Sequence, residues 1–161
     1  MNVDLRAREI VFIPTHGKSR GRYHLEVWIE AAKTSNVPYF MILDKGAEKE
    51  AKKFTIDETL IPEENLFLLK RGAIEDYYPL DKLVDAIKHE YGIEVTEEEK
   101  ERIAQIPRTE NIEKLLKEKV KDTRGWKVRI GKKVAESMTA DEIDDEIKRI
   151  IERIATKIRI T

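Results

Sequence analysis

Three short runs are apolar at nearly every position, and they constrain the fold more than any other feature of the chain. Ile10-Val-Phe-Ile13 is β-branched and aromatic and is closed by Pro14; Pro38 opens Tyr39-Phe-Met-Ile-Leu43; Leu66-Phe-Leu-Leu69 follows Asn65 and ends at Lys70-Arg71-Gly72. An exposed antiparallel meander alternates polar and apolar residues, so unbroken runs of this kind read as strands covered on both faces, the habit of a parallel sheet. Between the first two runs, Leu25, Trp28, Ile29 and Ala32 recur at helical spacing. The order is therefore strand, helix, strand, with a right-handed crossover expected. Ala47 to Phe54 reads as a short Lys/Glu helix before the third strand. The expectation is an α/β fold: a mostly parallel sheet with Tyr39–Leu43 at its centre, helices on both faces and a helical C-terminal third.

After residue 75 the pattern is helical throughout. Pro79 suits the first helical position of a segment whose Leu80, Leu83, Val84, Ile87 and Tyr91 share a face, and Gly92 suits its end. Thr96 with Glu99 is a capping-box pattern opening a helix that stops before Pro107. Another helix is expected over Glu110–Lys121, and a short one over Gly131–Met138. The last is expected from Thr139, paired with Glu142, and turns Ile143, Ile147, Ile150, Ile151, Ile154 and Ile158 inward. Its first turns are acidic and its last basic, which suits the helix dipole.

Composition removes whole classes of function. The 161 residues carry 31 Lys+Arg, 32 Asp+Glu and no cysteine, so disulfide scaffolds, thiolate zinc sites and cysteine nucleophiles are excluded together. A chain of this length buries roughly 70% of its unfolded surface, which is core enough without metals or cross-links. The longest apolar run, Tyr39–Leu43, is about a quarter of a membrane span, and no signal-length apolar segment begins the chain. A cytoplasmic, non-membrane protein is expected. The formal net charge of −1 argues against a whole-surface grip on nucleic acid but permits a local basic patch. The high charge content, with isoleucine favoured in the helices, leans toward a thermophilic source.

Few residues offer chemistry. Thr15-His16-Gly17-Lys18-Ser19 ends like a phosphate-binding loop between a strand and a helix, but Phe12 stands where the first glycine belongs and Pro14 removes an amide. Gly17, Lys18 and Ser19 are left as an anion nest or a plain strand-to-helix turn. Asp44 follows an all-apolar strand, at the carboxyl end where open α/β sheets keep their ligands, and either holds a ligand there or caps the next helix. Magnesium wants at least two carboxylates, and Glu75 with Asp76 follows the next strand at the equivalent end. His16, His24 and His89 show no metal-ligand spacing. Lys127, Arg129, Lys132 and Lys133, beside Trp126, form either a phosphate-facing cluster or a solvated face. Ser19, Ser35 and Ser137 lack a nucleophile elbow.

The order Ile10-Val-Phe-Ile-Pro-Thr-His-Gly-Lys-Ser19, Val37-Pro-Tyr-Phe-Met-Ile-Leu-Asp44 and Asn65-Leu-Phe-Leu-Leu-Lys-Arg-Gly-Ala-Ile-Glu-Asp-Tyr-Tyr-Pro79 resembles the Toprim domain of OLD-family nucleases. Trp126-Lys127 leading into Lys132-Lys-Val-Ala-Glu-Ser-Met-Thr-Ala-Asp-Glu-Ile143 is similar to the stretch that ends those domains. The resemblance covers about residues 9 to 155, and Gly-Ala-Ile-Glu-Asp-Tyr is its most specific part. It implies a single Toprim-like domain over residues 1–161, with an α/β part over 1–92 and a helical part over 93–161 packed on it.

The resemblance also implies magnesium or manganese, DNA as substrate, and an ATPase, which in those nucleases precedes the domain and here would be a partner chain. Residue by residue, Asp44, Glu75 and Lys127 match the family's catalytic acids and lysine, with Asp44, Glu75 and Asp76 as the metal set. Two positions depart. The second acid of the family's Asp-x-Asp pair is Gly46, and the family's leading Glu-Gly motif has no counterpart, because Met1–Arg8 is too short to supply its strand and helix. Losing two of about four acids should weaken a two-metal site severely. The chain is then a nuclease half completed by another chain, a relic that binds DNA or a partner without cutting, or a structural domain.

Overall fold

The computed structural model describes residues 21–49, 51–52 and 61–160. The expected first strand and the Gly17-Lys18-Ser19 loop lie outside the described residues. Within them run α1 (Gly21–Thr34), β1 (Met41–Leu43), β2 (Leu66–Leu68), α2 (Leu80–Tyr91), α3 (Glu97–Ala104), α4 (Arg108–Lys119), α5 (Trp126–Ser137) and α6 (Asp145–Ile160). The fold is α/β and mostly helical, and β1 and β2 are parallel neighbours. Both are shorter than their apolar runs. Met41 and Phe67 are buried, yet Ile42 is 45% exposed. Successive side chains on a strand face opposite ways, so the unbroken apolar run is not covered on both faces at Ile42.

The chain divides into two compact units, one of Met1–Ile42, Lys49–Phe67 and Ile150–Thr161, the other of Leu43–Glu48 and Leu68–Arg149. In the first, Ile29, Met41, Ala51, Ile61, Phe67, Ile150 and Ala155 are buried. The Phe40 and Phe67 rings stack at 6.4 Å, Arg153 lies 5.0 Å from the Phe67 ring centre, and Lys157 donates to Asn65 Oδ1 at 2.6 Å.

The second unit is a helical hub built on α2 to α5. Leu83, Ile87, Ile103, Ile112, Leu115, Leu116, Ile130 and Val134 are all 0% exposed and pack in one cluster with Trp126 and Ala86. Burying side chains of this size stabilises the unit by roughly 1.5–3 kcal/mol each before conformational entropy is subtracted. Local sequence signals set the ends of these helices. Pro79 precedes Leu80, and Gly92 closes α2 at φ 65°. Thr96 Oγ1 accepts from Glu99 N at 3.3 Å while Glu99 Oε2 accepts from Thr96 N at 2.8 Å, so the capping box forms at α3.

Three boundaries differ from the sequence reading. The Thr139–Glu142 box closes only a 3-10 turn, Ala140–Glu142, because Ile143 turns extended at φ −70°, ψ 131°. Helix α6 starts afresh at Asp145, where Asp144 Oδ1 accepts from Glu146 N at 2.9 Å. Helix α5 begins at Trp126, behind Gly125 at φ 67°, and not at Gly131. Gly131 lies inside it, where an added Cβ would stand 2.9 Å from the Tyr78 hydroxyl; this glycine permits close approach rather than starting a helix. Helix α4 begins at Arg108 rather than Glu110. Of the six isoleucines expected inward on the last helix, Ile150 is buried and Ile143, Ile147, Ile151, Ile154 and Ile158 are half-buried. A charge at Ile147 would therefore keep some contact with water and cost less than one sealed in a core.

Candidate functional site

Two loops leave the carboxyl ends of the parallel strands, and both carry acids. In the loop after β1, Ala47 N donates to Asp44 O at 3.2 Å, and Gly46 stands at φ 89° with its N–H donating to Glu48 Oε1 at 3.2 Å. Positive φ is expensive for a side-chain-bearing residue, so the position matched to a second acid is one whose backbone favours glycine. The loops meet where Lys45 N donates to Gly72 O at 3.0 Å.

The loop after β2 is organised around Asp76, which is 0% exposed. Its Oδ2 accepts from Ala73 N at 2.9 Å and its Oδ1 from Arg108 N at 2.8 Å. Pro107 gives α4 no side-chain cap, so Asp76 caps that helix from another part of the chain, satisfying an orphan N–H and the helix dipole at once. Gly72 is obligatory here. A Cβ on it would fall 1.9 Å from Asp76 Oδ2.

Glu75, one residue earlier, is 3% exposed. Its Oε1 lies 3.4 Å from Lys127 Nζ, and its Oε2 accepts from the Thr109 hydroxyl at 3.3 Å. A carboxylate so far from water needs such partners, since isolated burial of a charge costs several kcal/mol. Lys127 sits in the first turn of α5, half-exposed, 5.7 Å from the Trp126 ring centre. Asp44 is the third member. Partial burial pushes its carboxyl above the ordinary value, the charge of Glu75 pushes it further, Lys127 pulls it back and Asp76 adds a last upward push. Among the described residues its carboxylate accepts no hydrogen bond. Burial first, and then Glu75, also pushes the Tyr78 phenol up to about 12.

Behind these groups the strand-end loop is latched to the start of α6. Glu146 accepts from the Tyr77 hydroxyl at 2.9 Å and from Lys70 N at 3.0 Å, and Arg71 pairs with Asp144 at 2.7 Å. The Tyr77 hydroxyl in turn accepts from Arg71 N at 2.8 Å, and the Arg71 guanidinium lies over its ring. Arg108, Thr109, Asp144 and Glu146 were not singled out from sequence; no local spacing marks them, because each finds its partner from a distant segment.

Asp44, Glu75, Asp76 and Lys127 are thus brought together, while Gly17, Lys18 and Ser19 lie outside the described residues. His89 is exposed on α2 and His24 belongs to α1. The basic cluster of α5 is charge-compensated: Arg129 pairs with Glu90 at 3.5 Å, and Lys132 and Lys133 each reach Glu136 at 3.8 Å. As arranged, these side chains do not fit a divalent ion. Both Asp76 oxygens serve backbone N–H groups and both Glu75 oxygens serve Lys127 and Thr109. Among the described residues no group of three or more His, Asp or Glu side chains is placed to hold a metal.

Comparison with known proteins returns no match to any family model, curated protein or solved structure. Among the described residues no helix is long and apolar enough to cross a membrane.

Proposed function

We propose that the chain is a Toprim-like domain related to the metal-dependent DNA endonucleases of the OLD family, incomplete by itself and acting with a partner chain that carries an ATPase. One observation carries this reading: Asp44, Glu75 and Lys127, drawn from three separate parts of the sequence, stand within electrostatic reach of one another at the carboxyl ends of two parallel strands. That is where α/β sheets place their ligands. A parallel β1–β2 pair is also the arrangement a Toprim-like sheet requires. Magnesium or manganese belongs to the reading only once a partner supplies further acids, because the side chains as arranged here do not fit a divalent ion. Lys127, half-exposed beside two carboxylates, is the group suited to meet a DNA phosphate.

A second reading, a non-catalytic DNA- or protein-binding domain, is favoured by Gly46, whose φ of 89° disfavours the missing acid, and by the full engagement of Asp76. Incubation of supercoiled plasmid with the pure chain in magnesium or manganese, beside an Asp44→Ala control, tests the first reading. The plasmid is expected to stay intact in both. Metal-dependent nicking that the control loses would show a site complete in one chain, and metal-free DNA binding equal in both would favour the second reading.

A further inference from the structure

We infer that Glu146 is a positioning residue for Glu75: by holding Lys70 and Tyr77 from the first turn of α6 it sets where the Glu75 carboxylate stands against Lys127 and Thr109, an inference that rests on the reading of Asp44, Glu75 and Lys127 as one site. Glu75 does not fix its own place. Its two side-chain partners stand at the long end of the range, Lys127 Nζ at 3.4 Å and the Thr109 hydroxyl at 3.3 Å. The shorter contacts belong to its neighbours. Glu75, Asp76 and Tyr77 share one 3-10 turn, Ile74–Tyr77, and with only two soft dihedrals per residue such a turn leaves little room for independent shifts. Whatever holds Tyr77 therefore places Glu75.

Asp76 anchors this turn from its own loop and from α4, through Ala73 N at 2.9 Å and Arg108 N at 2.8 Å. Tyr77 anchors it from α6. Its hydroxyl donates to Glu146 Oε2 at 2.9 Å and accepts from Arg71 N at 2.8 Å, while Glu146 Oε1 accepts from Lys70 N at 3.0 Å. One carboxylate thus grips the loop after β2 on both sides of Glu75. Glu146 is in turn set by Asp144, whose Oδ1 accepts from Glu146 N at 2.9 Å and whose Oδ2 pairs with Arg71 at 2.7 Å. Ile143 is extended and α6 starts afresh at Asp145, so the grip comes from a newly begun helical turn. Among the described residues no member of the hub's buried cluster comes from α6. Loss of Glu146 should therefore displace Glu75 without opening the hub.

The test is heteronuclear magnetic resonance of the full chain, reading the Lys127 and Thr109 signals in the wild type, Glu146→Gln, Glu75→Gln and the double variant. Glutamine keeps the shape of the side chain and leaves one acceptor oxygen where two served. Glu146→Gln is expected to shift the Lys127 and Thr109 signals along with those of Lys70 and Tyr77. In the Glu75→Gln background it should move Lys127 and Thr109 no further, because its effect on them passes through Glu75. Shifts confined to Lys70, Arg71 and Tyr77 would overturn the inference, as would Lys127 and Thr109 shifts that persist at full size in the double variant. Should Glu146→Gln prove unfolded, Tyr77→Phe, which removes only the hydroxyl, is read in the same way; unfolding of both overturns the inference, since the latch would then hold up the fold rather than place one carboxylate. The samples contain no DNA, so failure here is distinct from failure of the incomplete-nuclease reading, which shows as nicked plasmid.

Discussion

The loops that follow β1 and β2 stand at the same end of the same strand pair, and they use their acids in opposite ways. After β2, Asp76 is sealed from water and holds two N–H groups, Glu75 is paired on both oxygens, and Tyr77 and Arg71 are tied to Glu146 and Asp144. After β1, Asp44 remains a surface residue held by its backbone alone, its carboxylate disturbed by neighbouring charge rather than satisfied by hydrogen bonds. An acid placed at a strand end is therefore not evidence of a ligand site by itself. Asp76 belongs to the scaffold, Asp44 is the acid whose carboxylate accepts no hydrogen bond among the described residues, and Glu75 stands between them.

The contrast breaks most severely at Gly72. Replacing it with Ala forces a methyl to within 1.9 Å of Asp76 Oδ2, which displaces the carboxylate and loses both of its hydrogen bonds while adding strain. Destabilisation of about 3 kcal/mol or more is expected in urea unfolding. A wild-type midpoint would mean that the loop after β2 has slack that its contacts do not suggest.

Asp76→Ala removes the same acceptors without the overlap, so its cost should be smaller, about 2–3 kcal/mol, from two N–H groups left without a partner and a helix without its cap. Hydrogen exchange of the Arg108 amide is expected to accelerate alongside the loss of stability. Protection unchanged at Arg108 would show that α4 does not depend on this cap.

At Asp44 the expected effect is smallest and opposite in sign. Its carboxyl is raised above the ordinary 3.8, so the folded state binds the proton more tightly than the unfolded state does. Ionised Asp44 therefore opposes folding above its folded pKa, and the penalty fades as pH falls through that raised pKa toward 3.8 and is gone well below it. Asp44→Asn should stabilise the protein slightly at pH 7, by no more than about 0.5 kcal/mol once solvent screening is allowed for, read as a small rise in melting temperature. The gain should disappear near pH 3. A loss of stability at pH 7 would mean that Asp44 is a scaffold group like Asp76.

Much of the helical hub was legible in the sequence. The apolar face of α2, the stop at Gly92 and the Thr96–Glu99 box all depend on groups within one or two helical turns, and local spacing is enough to specify them. The same local rule misled at Thr139 and Gly131. A capping box also fits a single 3-10 turn, and the glycine was kept for the nearby Tyr78 hydroxyl rather than for a turn. Asp44, Glu75 and Lys127 were legible as site candidates because strand ends and a family pattern mark them, whereas Thr109 and Arg108 carry no such mark.

By itself, then, the sequence determined an α/β chain with strands in the Tyr39–Leu43 and Leu66–Leu69 runs and a helical C-terminal part, because periodicity and caps act over three or four residues; of the mostly parallel sheet it led one to expect, the described residues hold a two-stranded parallel pair. Tertiary structure alone decided which acids are free. Asp76 meets Arg108 across 32 residues and Glu75 meets Thr109 across 34, and no propensity reaches that far. It also decided that Ile150 is buried while Ile147 is not. A periodic face shows which side of a helix is apolar, and only the surface packed against it sets how much of that side leaves water.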